Sequence, residues 1–272
     1  MVTSFILVIL SLLGNLILPP PPGSPFRLLT GLVQIVFPAL AWLFFVYWQE
    51  ARTGSALSAQ LFALLVLGGL VGLAVGRPLL TGVLAAREWL PTARTSTRLL
   101  ENVLLVGFTH IALIYAVVRY TVWRTPAFAR RTDGPLYTVG AGLGYATMLN
   151  LIFLLEGGGL DPVNGAFRFI DQTAAHLSAS VVLGFYLGRN RFADLPAWYL
   201  PSGVGLAALV DGFMLYASAE LNNTRLGLTR DAFSPWPGAI FSMLAGLIAF
   251  SAIYGIQRRI NSGPESGRES AA

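Results

Sequence analysis

Residues 133–158 read DGPLYTVGAGLGYATMLNLIFLLEGG and, after a loop, residues 176–188 read HLSASVVLGFYLG. No charge interrupts the first run between Asp133 and Glu156, a length that matches the hydrocarbon thickness of a bilayer. It carries Gly140 and Gly144 one turn apart, and a single strongly polar residue, Asn150, at membrane depth. The second run holds one of the two histidines in the chain. Two consecutive apolar helices with small residues on one face predict the centre of a polytopic, all-α transmembrane bundle.

Composition agrees. Of 272 residues, 55% are hydrophobic and 11% are charged, against about 25% charged in a soluble domain. All 18 basic residues are arginine, dispersed over loops and helix ends, which argues against nucleic acid and for contact with a lipid bilayer and its anionic headgroups. The absence of cysteine excludes disulfides and thiolate metal sites.

Working outward, eight segments approach spanning length: residues 2–18, 29–48, 58–76, 99–121, 135–155, 172–188, 198–218 and 238–256. The first lacks a basic start and a small-residue cleavage site, and reads as an uncleaved span or an interfacial segment weakened by Asn15. The third is expected to stop at Arg77-Pro78, where a charge and a missing amide donor coincide, with Thr81 to Leu90 forming an interfacial helix that sets Trp89 at headgroup depth. Residues 1–260 form one membrane domain, and 261–272 form a polar, disordered tail. Eight spans place both termini on one side. Assigning them to the cytoplasm puts ten arginines inside, chiefly in the 119–131 loop and the tail.

Polar side chains inside spans face the bundle interior because lipid cannot solvate them. They are Glu101, Thr109 and His110 on the fourth span, Tyr145 and Asn150 on the fifth, Gln172, His176 and Ser180 on the sixth, and Asp211 on the seventh. Gln172, His176, Ser180, Gly184 and Gly188 recur every four residues and share one face. Such a strip packs closely on a neighbour, as do Gly140 and Gly144, or lines a groove for a substrate helix. Each histidine either bonds a neighbouring helix or converges with the other on a metal or water. Zinc would need a third protein ligand, which Asp211 could supply. Asp211 itself reads either as a paired structural carboxylate or as part of a catalytic or proton site.

The run Asp133-Gly134-x-x-Tyr137, then Gly142-Leu143-Gly144-Tyr145-Ala146-x-x-x-Asn150, resembles the second conserved block of the PrsW family of intramembrane proteases. His176 followed by Gly184 and Gly188 resembles the third, and Leu209-Val210-Asp211-Gly212-Phe213 a later His-x-x-x-Asp block. The resemblance implies a PrsW-like core over about residues 99–218 and a bacterial inner-membrane location. It also shows departures. Thr109-His110-Ile111-Ala112-Leu113 stands where a Glu-Glu-x-x-Lys block is expected, Leu149 where a glutamate is, and Ala207 where a histidine is. Hydrolysis of a peptide needs an activated water and an acid or metal to polarise the carbonyl, and leucine supplies neither.

The expectation is therefore a pseudoenzyme that keeps the bundle and binds or scaffolds other membrane helices, such as single-span proteins, with no cofactor. An active hydrolase built on His110, His176 and Asp211, with zinc as its metal, is the alternative. A small transporter with Asp211 coupling protons is a third reading, disfavoured because no internal repeat with matched broken helices is visible.

Overall fold

A computed structural model describes residues 21, 24–53, 58–84, 94–156, 162–223 and 234–261. The expected first span, the segment around Trp89 and the tail beyond Asn261 lie outside the described residues. Among the described residues the regular elements are all helical: α1 (Pro25–Thr53), α2 (Ser58–Val71), α3 (Thr95–Glu101), α4 (Phe108–Thr121), α5 (Asp133–Glu156), α6 (Pro162–Phe192), α7 (Tyr199–Asn223) and α8 (Trp236–Asn261). Wider π-helical turns at Gly72–Gly76 and Leu79–Val83 prolong α2, and another at Asn102–Gly107 fuses α3 to α4. Five stretches are long and apolar enough to cross a membrane: Pro25–Phe44, Ala59–Val83, Thr95–Thr121, Asp133–Glu156 and Tyr199–Asn222, with a shorter apolar helix at Trp236–Ala249. Leu29, Phe44, Phe62, Leu104, Phe213 and Ile248 are exposed on their outer faces. In water they would form a large apolar patch, but against lipid they meet a solvent of their own kind.

Two sequence expectations change. The helix of the third span does not end at Arg77-Pro78 but runs on to Val83. Proline removes one amide donor and crowds the carbonyl a turn before it. The π-helical turns on either side widen the helix, and the amides of Arg77 and Leu84 bond the carbonyls of Gly72 and Leu79. The Arg77 charge is met by an ion pair to Glu156. The sixth helix starts at Pro162, well before the expected residue 172. Its hydropathy is diluted by Gln172, His176, Ser178 and Ser180, and it needs little lipid-facing surface because it packs against α1, α4, α5, α7 and α8.

α5 and α6 form the axis of the bundle. Ile111, Ile114 and Val118 of α4, Tyr137 and Tyr145 of α5, and Leu183 and Leu187 of α6 make the main core with Ala207 and Ala208 of α7. Backbones approach where side chains are missing. A Cβ on Gly68 would strike the Ala141 carbonyl, and one on Gly144 would strike the Leu65 carbonyl, so α2 and α5 touch main chain to main chain. Gly184 and Gly188 play the same part for α6, seated against Pro135 and the Arg131 carbonyl.

The two ends are closed differently. At one, Arg77–Glu156 and Arg98–Glu220 are ion pairs, and the Asn222 amide reaches Asp171 at 3.3 Å while its carbonyl accepts from the Gly238 amide at 2.9 Å. At the other, Asp133, the first residue of α5, ties down the preceding loop by accepting from the amides of Ala129 and Arg130 at 2.8 and 2.7 Å, and the Trp123 indole N–H donates to the Leu187 carbonyl at 3.1 Å.

Gly144→Val should cost about 1–3 kcal/mol, because neither facing backbone can yield without moving a helix. Gly205→Ala, where an added Cβ meets nothing within 4 Å, should be neutral or stabilising by up to about 1 kcal/mol. Equilibrium unfolding in detergent micelles compares the two.

Candidate functional site

α4, α6 and α7 deliver one polar side chain each to the same buried point. Asp211 is 0% exposed and sits one residue before Gly212. A Cβ on Gly212 would strike the Asn102 carbonyl, and one on Gly107 would strike the Ala208 carbonyl. These two glycines let α7 lie directly against the π-helical turn that leads into α4. That approach brings Asp211 within reach of His110 three residues further on.

His110 Nδ1 lies 2.9 Å from Asp211 Oδ2, and His176 Nδ1 lies 2.7 Å from Asp211 Oδ1. A carboxylate only accepts, so each imidazole donates to it through Nδ1–H, which leaves Nε2 facing away from Asp211. On His176 that nitrogen faces the Gln172 amide nitrogen at 3.4 Å. On His110 it has no hydrogen-bond partner among the described residues. The two rings stand edge to face with centroids 4.7 Å apart, and Tyr145 packs against both, at 5.1 Å from His110 and 5.5 Å from His176. An unpaired buried carboxylate would cost several kcal/mol. Hydrogen bonds to a charged group contribute about 1.5–3 kcal/mol each, so two of them offset much of that cost.

The other expected residues divide. Tyr145 belongs to the site: its ring touches both imidazoles, and its hydroxyl, buried without a hydrogen-bond partner, lies against the backbone of Gly76. Asn150 is buried, but its Oδ1 has no partner and it makes no hydrogen bond to the cluster. Ser180 packs its hydroxyl against Gly142, while its carbonyl accepts from Thr138 at 2.7 Å. Gly140 seats Trp42 of α1. Gly140, Gly144, Gly184 and Gly188 are thus all filled by neighbouring parts of the chain. Sequence reading missed Gly72 and Gly76, which make room for the Tyr145 ring and hydroxyl. Their four-residue spacing after Gly68 was the available signal.

No family model matches the chain, and no solved structure matches it. Curated relatives do. Protease PrsW of Bacillus subtilis is 32% identical over 88 residues, covering 32% of this chain and 38% of that protein. Protease PrsW of Halalkalibacterium halodurans is 25% identical over 169 residues, covering 62% of this chain and 72% of that one. Protease PrsW of Geobacillus kaustophilus is 35% identical over 78 residues, 28% of this chain and 33% of its own length. The chain is similar to the PrsW proteases. The strongest identities span well under half the length of those relatives. With its apolar helices, the match makes this a PrsW-like integral membrane protein.

Removing one member of a buried charged cluster strands the rest, so His176→Leu should cost about 3–5 kcal/mol. Replacing His110, His176 and Asp211 together by leucine should cost less than that single change, because no stranded charge remains. Chemical denaturation of both variants checks the order.

Proposed function

We propose that this PrsW-like protein has kept the bundle and given up peptide hydrolysis, and that it holds the transmembrane helix of another membrane protein. One observation carries the reading. Asp211 is the one acid that reaches the histidines among the described residues, and both of its oxygens are already engaged by imidazoles. Leu149, at the position where the resemblance expects a glutamate, packs on the main core instead. Among the described residues no second carboxylate joins the two histidines to activate a water or to protonate a leaving amine. The end bearing Arg119, Arg124, Arg130, Arg131, Arg189 and Arg191 is read as cytoplasmic, in a bacterial inner membrane. The carboxyl end of α8 lies on that side, since α8 begins at the opposite end beside Asn222.

In phosphatidylcholine vesicles, labelled single-span membrane peptides should associate with the protein, seen as energy transfer, and remain intact. Cleavage by the wild type that disappears in His176→Ala would overturn the reading.

A second reading, a rebuilt hydrolytic centre, is favoured by the donor set. One ligand atom from each of His110, His176 and Asp211 lies within 4.8 Å of the others. Two imidazole nitrogens and a carboxylate oxygen suit zinc in kind and number, leaving a fourth position open. When bound, zinc would supply a polarised carbonyl or a water acidic enough to attack at neutral pH. The spacing fits less well. Tetrahedral ligands at about 2.0 Å from zinc stand about 3.3 Å apart, whereas Nδ1 and the carboxylate oxygens here are 2.7 and 2.9 Å apart, as in hydrogen bonds. Metal analysis of the purified protein separates the readings: no stoichiometric zinc is expected. One zinc per chain, lost in His176→Ala, would favour the hydrolase.

A further inference from the structure

The arginine-rich end holds cations that the fold does not neutralise. The Arg119 guanidinium lies 3.4 Å from the centroid of the Trp123 ring, and the Arg191 guanidinium lies 5.4 Å from the same ring. The indole is held in place by its hydrogen bond to the Leu187 carbonyl, so the last turns of α4 and α6 bring two like charges to one aromatic side chain. Cation–π attraction contributes about 0.5–2 kcal/mol for each, but it does not remove the repulsion between them. Neither has an ion pair among the described residues, and Arg119 Nη1 is buried without a hydrogen-bond partner. The nearby acids do not serve: Asp133 is committed to the amides of Ala129 and Arg130 and to the Arg130 side chain. Asp194 is exposed and makes no ion pair among the described residues. Arg189 stands near by, 5.9 Å from the ring of Tyr199. At the opposite end Arg77 and Arg98 each have a glutamate.

From this contrast we infer that Arg119 and Arg191, flanking Trp123, form a binding site for the phosphate of an anionic phospholipid in the leaflet at this end of the bundle. A phosphate diester between two guanidiniums takes charge-assisted, forked hydrogen bonds and relieves their repulsion. The site lies at headgroup depth, marked by the exposed rings of Tyr120 and Trp198 at 82% and 67%. A lipid rather than free phosphate is the occupant because its acyl chains continue along the apolar outer face of the bundle.

The test uses the full chain in a neutral detergent, with thermal unfolding and native mass spectrometry as readouts. Phosphatidylglycerol should raise the melting temperature and stay bound, phosphatidylcholine should do neither, and added salt should weaken the effect. Arg191→Gln, at an exposed position that the fold does not need, should abolish the shift, as should Arg119→Gln. Arg124→Gln, at the same end but outside the aromatic stack, should keep it. Equal shifts with both lipids, a full phosphatidylglycerol shift in Arg191→Gln, or an equal shift from inorganic phosphate at matched concentration would each overturn the proposal.

Discussion

A carboxylate shut away from water in a membrane bundle survives only if both oxygens are answered. Asp211 meets this condition with two imidazoles drawn from two other helices. The demand propagates outward. His110 reaches Asp211 because Gly107 and Gly212 let their helices touch. The imidazole pair is roofed by Tyr145, whose hydroxyl has room only because position 76 lacks a side chain. Three independent backbone contacts, between α2 and α5, α4 and α7, and α5 and α6, therefore converge on one small polar centre. The apolar remainder of the bundle is less exacting, since many leucines and valines could fill it at similar cost.

The axis of this fold was legible in the sequence, because helical spacing is local. Four-residue recurrence put His176, Ser180, Gly184 and Gly188 on one face of α6, and rarity alone pointed inward at Asp211. What the sequence hid was non-local. His110 and Asp211 are 101 positions apart, and no pattern within either helix says that they meet. The run through Pro78 was misread for a different reason. The rule that proline ends a helix assumes a regular α-helical ladder, and here π-helical turns on both sides absorb the missing donor. The division of glycines between groove and packing was equally hidden, since a notch looks the same whether a substrate or a neighbouring helix fills it.

On the proposed reading, Leu149 stands where an acid was lost without loss of the bundle's shape. A buried glutamate needs a partner for each oxygen and pays a desolvation penalty of several kcal/mol when it lacks one. A leucine in the same place needs none and is accommodated by neighbouring side chains and lipid alike. Position 149 packs on the core cluster, so on the proposed reading the loss of the acid would leave the packing intact. Asp211 could not be traded so simply, because two histidines already depend on it. Its place beside a leucine at 149 is accounted for by that pairing.

The arginine-bearing end and the buried centre are not mechanically separate. Arg119 closes the helix that carries His110, and Arg191 closes the helix that carries His176. Two guanidiniums at one indole repel each other, and an anion held by both, as proposed, would draw the ends of α4 and α6 together. Both helices are continuous between arginine and histidine, and both imidazoles are tethered to the same carboxylate. The opposite end is tied by arginine–glutamate pairs, so with the proposed lipid site the arginine end is the one that an anionic headgroup would brace.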